Sequence, residues 1–252
     1  MKTISNIILL FLIASYSFSQ TAEDIIRKSE ESIKGRTSQG TFIMRVITPN
    51  YTRELKMDSW WVGNEKALIV IKSPKKEAGN KTLKIKNEMW IYLKNTQTTI
   101  KIPPSMMLQS WNGSDFTNDD LVRESNLIDD YSQKIAGEEI LENEKCWKIE
   151  LIPKPDAPVV WGKLYYWVRQ TDYLPAKVDF YDEKGKLMRT LAYSDFKIMG
   201  GRKMPAKWTV INRTKEGNRT EFDIIDVKFD IKISDKIFSF PTHQLSIFNS
   251  RV

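Results

Sequence analysis

Alternation of apolar and charged residues constrains this chain more than any other feature in it. Near the C-terminus Ile225, Val227, Phe229, Ile231 and Ile233 alternate with Asp226, Lys228, Asp230 and Lys232. Residues two apart on a strand share a face, so this pattern predicts a half-buried strand of an antiparallel sheet. The same period runs through Trp147, Ile149 and Leu151, through Phe42, Met44 and Val46, and through Leu55, Met57 and Trp61 around Ser59. The segments 67–71 and 89–93 are apolar at both parities, which predicts mid-sheet strands covered on both faces. Turn groups at Asp182–Gly185, Met199–Arg202 and Lys215–Asn218 separate strand-like runs at hairpin spacing. The pattern predicts a meandering antiparallel sheet of about ten or eleven strands.

Two segments break the period. Residues 22–34, AEDIIRKSEESIK, open with acids, carry Ile25, Ile26 and Ile33 on a narrow stripe, and run into Gly35, which predicts a short helix. From Pro103 to about Asn126 the alternation disappears. Asn112-Gly113 is a turn dipeptide, and Thr117 followed by Asp120 fits a capping box at a helix start. The middle of the chain therefore reads as a loop with one or two short helices between two sets of strands.

The first nineteen residues have the layout of a secretory signal peptide. One Lys precedes an apolar run from Ile7 to Ile13, then small residues lead to cleavage before Gln20. No cysteine precedes Cys146, so no lipid anchor is expected, and residues 20–252 read as a single exported, soluble domain. Cys146 is the one cysteine, so no internal disulfide can form, and its strand-like surroundings make it a buried thiol. Without Lys2 there are 38 basic against 32 acidic residues, a dispersed excess of +6. Export argues against nucleic acid as a partner.

Catalytic readings of the stretch SWNGSDFTNDDLV, Ser110 to Val122, fail on spacing. Its acids do not follow the alternate positions of a calcium loop. Ser114 has neither a nucleophile elbow nor a nearby base, since the one histidine is His243. One His and one Cys do not make a zinc site. The adjacent carboxylates Asp119-Asp120 and Asp129-Asp130 fit solvated helix starts better than paired glycosidase acids. No catalytic residue, metal or cofactor is expected.

The block KTLKIKNEMWIYLKNTQTTIKIPPSMMLQSWNGSDFTNDDLV resembles the LolA-like outer-membrane lipoprotein-sorting family, most clearly in its strand, Ile-Pro turn and GSDF loop. A second block, YYWVRQTDYLPAKVDFYDEKGKLMRTLAYSDFKIMGGRKMP, is similar to that family's central hairpins. The resemblance implies a mainly β fold, a strongly curved antiparallel sheet forming an unclosed barrel, with helices plugging or lidding an apolar concave face. It also implies a non-enzymatic periplasmic carrier. Such a carrier takes an acylated lipoprotein or lipid cargo from an inner-membrane ABC-type or lipid-exporting transporter to an outer-membrane acceptor, and is expected to act as a monomer. Exposing a sixteen-carbon chain to water costs roughly 12 kcal/mol at about 0.8 per methylene, so unshielded lipid does not cross the gap.

Within that fold, alternation assigns Leu55, Met57, Trp61, Ile69, Ile91, Val178, Phe180, Val227 and Phe229 to the lipid cavity. The opposite parity, with Trp60, Trp90 and Tyr92, is the alternative lining. Met106, Met107 and Leu108 are expected as adaptable cover for the cavity. The loop residues Gly113, Ser114, Asp115, Phe116 and Leu121 are expected to turn the chain into a lid helix, with Phe116 and Leu121 facing the cavity and Asp115 capping backbone amides. The rival function is a secreted module that holds a protein or glycan on a filled sheet.

Overall fold

The computed structural model describes residues 20–123, 127–157 and 159–239; the signal segment and His243 lie outside the described residues. Thirteen strands form one antiparallel, curved and unclosed sheet. The first six are β1 (Thr37–Ile47), β2 (Thr52–Val62), β3 (Lys66–Ser73), β4 (Lys81–Ile85), β5 (Glu88–Leu93) and β6 (Thr98–Lys101). The next six are β7 (Tyr131–Leu141), β8 (Glu144–Pro153), β9 (Lys163–Arg169), β10 (Pro175–Tyr181), β11 (Leu187–Met199) and β12 (Arg202–Asn212), and β13 is Arg219–Phe229. The spatial order is β6-β5-β4-β3-β2-β1-β13-β12-β11-β10-β9-β8-β7.

This order explains the gap in the alternation. The chain starts mid-sheet, steps outward to the β6 edge, and resumes at the opposite edge, β7. Residues 102–130 must therefore bridge two edges, and a bridging strap has no pleat to obey. It contains two short 3-10 turns, Pro104–Met106 and Trp111–Gly113, and a helix α2, Asn118–Arg123. The capping box forms: the Thr117 N–H donates to Asp120 Oδ2 at 2.7 Å, and the Asp120 N–H donates to Thr117 Oγ1 at 3.2 Å. Hairpins form at the predicted turns, with Gly200 and Gly201 at φ +55° and +84°, the paired left-handed geometry that matches strand twist.

The leading helix α1 spans Ala22–Ile33, capped by the Thr21 side chain accepting from the Asp24 N–H. Ile25 and Ile26 are fully buried, and pack with Ile149, Leu151, Leu164, Val178 and Leu191 on the concave face of the β7–β12 half. Ser29 Oγ and the Tyr166 hydroxyl share a hydrogen bond of 3.0 Å at the helix's inner face.

Three expectations need correction. Ile225 does not share a face with Val227: an extra residue between the pairs Thr41–Asp226 and Phe42–Ile224 makes a bulge, leaving Ile225 52% exposed. The strand also stops at Phe229, where Asp230 turns left-handed, and residues beyond it cross the convex face instead. Ile233, Ile237 and Phe238 there pack against Trp60, Leu68, Leu83, Trp90 and Tyr92. That cover is why β5 is apolar at both parities although it lies next to the β6 edge rather than mid-sheet.

Candidate functional site

Between α1, the strap and the inner faces of β1, β2, β12 and β13 lies a cavity of about 710 Å³. Its walls are mostly apolar, including Phe42, Trp61, Met204, Trp208 and Phe222. Polar groups are few in the interior: Ser59, Asp120, and Lys84, whose side chain sits at the wall with the residue only 3% exposed. Charges gather where α1 ends, as Arg27, Glu30, Glu31, Lys34, Arg36, Arg202 and Asp230. Arg202 stitches this rim. It donates to the Lys34 carbonyl at 2.8 Å and to Asp230 Oδ2 at 2.9 Å, and lies 4.2 Å from the Phe229 ring centroid. The last carbonyls of α1 thereby gain a cationic partner.

The strap is fastened to the sheet by polar contacts. Arg53 on β2 pairs with Glu77 and donates to the Asn112 carbonyl at 2.7 Å. The indole N–H of Trp111, a fully sunk ring, donates to Thr82 Oγ1 at 3.1 Å. Asp115 accepts from Thr220 Oγ1 at 2.8 Å and Asn212 Nδ2 at 3.0 Å, and its N–H donates back to Thr220 Oγ1. Arg189 on β11 grips both oxygens of Asp120, one at 2.6 Å. Burial pushes the Asp120 carboxyl up, but the Arg189 guanidinium and the Thr117 amide and hydroxyl outweigh it and hold the group below its ordinary range.

The residues assigned to the cavity fall into four places. Trp61, Ile69, Val227 and Phe229 line the cavity, as do Phe116 and Leu121 from the strap. Val178 and Phe180 line a second pocket of about 110 Å³ behind α1. Leu55 and Met57 face inward but are sealed in a cluster with Trp111, and Ile91 packs with Met89, Met106 and Met107. Trp60, Trp90 and Tyr92 belong to the convex cluster under the C-terminal segment. Gly113 adopts φ +71°, and Ser114 Oγ donates to the Trp111 carbonyl at 2.7 Å and accepts from the Phe116 N–H, so the local amides are served by Ser114. Asp115 is consequently a tie to β12 and β13 and not the local amide cap expected of it. Leu108 is 58% exposed and covers nothing, because the 3-10 turn before it sends Met106 and Met107 inward instead.

Sequence reasoning missed Trp111 and Arg189. Arg189 shares parity with the inward residues Leu191 and Tyr193, so a charge at a core position was a readable signal. Trp111 sits in a loop without period, and nothing local marks it as an anchor. Cys146 is fully buried, and desolvation pushes its thiol up to about 11, so it is inert as a nucleophile. Among the described residues no cluster of His, Cys, Asp and Glu could hold a metal ion, and no helix is long and apolar enough to cross a membrane.

A curved sheet left open around an apolar cavity, plugged by one helix and strapped from edge to edge, is an unclosed half-barrel. A DUF1329-family protein from Desulfovibrio piger has this fold, with 22% identity, a TM-score of 0.79, and 86% of this chain matched to 95% of that one. A LolA-superfamily protein from Nitrosomonas europaea is similar at 24% identity and TM-score 0.74, over 88% of this chain and 99% of that one. A domain assigned to outer-membrane lipoprotein sorting from Vibrio parahaemolyticus aligns at 21% identity and TM-score 0.76, over 86% and 96%. No curated protein matches the chain. A family model described as "-like: Uncharacterized protein" matches residues 63–242, more than half of the chain, and the chain belongs to that family.

Proposed function

We propose that this chain is a non-enzymatic periplasmic carrier that shields the acyl chains of a lipoprotein or lipid between the inner and outer membranes. One observation carries the reading. The fold shared with a LolA-superfamily protein and a lipoprotein-sorting domain encloses an apolar cavity of about 710 Å³, within the about 300–1,000 Å³ of small-ligand sites. The charged rim suits a head group that stays in water while the chains enter, since apolar surface gains from burial and ionised groups lose by it. Residues 1–19 would direct export and leave a soluble protein without a lipid anchor. An ABC-type or other lipid-exporting transporter in the inner membrane would load it, and an outer-membrane acceptor would unload it.

Native mass spectrometry of the mature protein, isolated gently from its own periplasm and followed by lipid extraction, tests this. The expected result is a bound species in the acyl-lipid or lipoprotein mass range. A ligand-free mass that does not shift with added lipid, together with no enhancement of an apolar fluorescent probe, would overturn the carrier reading in favour of an interaction module.

A further inference from the structure

The second pocket, about 110 Å³, is too small to hold an amphiphile by itself. It shares a wall with the large cavity: Glu30 and Ile33 of α1, Lys34 at its C-cap, and Phe116 and Asp120 of the strap line both. On its far side Leu164, Val178, Phe180 and Val210 continue the apolar concave surface of the sheet. The two spaces are thus one trough divided by a partition.

The strap's part of that partition rests on an ion pair. Arg189 holds Asp120, and its guanidinium lies 4.2 Å from the Phe180 ring centroid and 4.7 Å from that of Trp161. Arg189 is buried, and only 14% of the Asp120 side chain is exposed. Apolar residues of similar volume often stabilise such a position as well or better, and positional or switching roles are the best-attested use of buried pairs. Arg189 Nε, moreover, has no hydrogen-bond partner among the described residues. Phe116, the other strap residue of the wall, rests edge-on against Phe222 at 5.0 Å and lies one short turn before Asp120 in the strap.

We propose that the two pockets form one binding site for an amphiphile with two or more acyl chains. One chain fills the large cavity, and a second passes Phe116 to end against Val178 and Val210. The Asp120–Arg189 pair, with Phe116, sets how many chains are admitted. This inference rests on the carrier reading and goes beyond it in naming the class of cargo.

The test compares a one-chain palmitoyl lysophosphatidylcholine with a two-chain dipalmitoyl phosphatidylcholine, each titrated into the full mature protein against an apolar fluorescent probe. Val178→Phe fills the small pocket from the sheet side. The two-chain to one-chain affinity ratio is expected to fall by about tenfold or more, the loss when a few methylenes stay in water. Val210→Leu fills less of the pocket from the neighbouring strand and should lower the ratio in the same direction, which covers the case that the bulkier variant does not fold. A ratio that both folded variants leave unchanged overturns the two-chamber proposal while the carrier reading stands. A parent protein that binds neither lipid nor the probe overturns both.

Discussion

The two halves of the sheet close their concave faces by different physics. Over β7–β12 the cover is α1, whose Ile25 and Ile26 sink fully into an apolar cluster. Over β1–β6 the cover is the strap, which sinks Trp111, packs Ile102, Met106, Met107 and Leu121 beside Met89 and Ile91, and adds polar ties through Arg53 to β2, Asp115 to β12 and β13, and Asp120 to β11. Apolar burial is non-directional and large, so α1 is a permanent plug. Charge-assisted hydrogen bonds are directional and exchangeable with water or a ligand, so the strap is the part of the wall that can release. The proposed carrier role would use both, a fixed core beside a cover held by exchangeable ties.

The comparison can be broken at its strongest point first. Arg189→Met leaves Asp120 buried beside no cation and should lower stability by about 3–5 kcal/mol in urea denaturation. Adding Asp120→Asn should restore most of that loss; a double variant as unstable as the single one would mean that the pair is a plain structural bond and not a fastening. Ile26→Ala should cost about 2–5 kcal/mol, and hydrogen exchange should report it throughout the β7–β12 half without selective opening of the strap. Asp115→Ala removes two hydrogen bonds to a carboxylate and should cost about 1.5–3 kcal/mol, with faster exchange confined to strap amides. Thr117→Ala, which deletes the cap of α2, should cost about 1 kcal/mol and show the same confinement.

Acid sharpens the contrast. Asp120 stays ionised to lower pH in the fold than in the unfolded chain, so its stabilisation is complete well above the ordinary value of 3.8 and is lost as pH falls through its lower folded value. Strap exchange and probe release should therefore be flat from neutral pH to about pH 5 and rise only below about pH 4. A rise already at pH 6 would place control in another group.

What was legible in the sequence follows the same division. Regular periods report regular neighbours, so α1, the hairpins and the grouping of Leu55, Met57 and Trp61 on one face could be read from spacing, while which face is concave could not. A bulge adds one residue without changing composition, which is why Ile225 looked inward and is not. The strap carries no period because it pairs with no strand, so its anchor Trp111 and the outward turn of Leu108 depend on partners more than twenty residues away or on a single turn's geometry. Arg189 shows the limit most clearly: its parity announced a buried charge, but its partner, 69 residues distant, is fixed only by the topology.

That topology has a consequence for how the molecule comes into being. Until β13 arrives, the chain is two separate six-stranded sheets, β1–β6 and β7–β12, hinged on the strap. The thirteenth strand is the seam between them, pairing Phe229 with Ser38 across most of the chain. Pairing of such sequence separation is slow, because the intervening chain must be ordered before the contact rewards it. Without that last strand the protein is two unjoined shells with exposed inner edges, and it becomes a container only when β13 closes the seam.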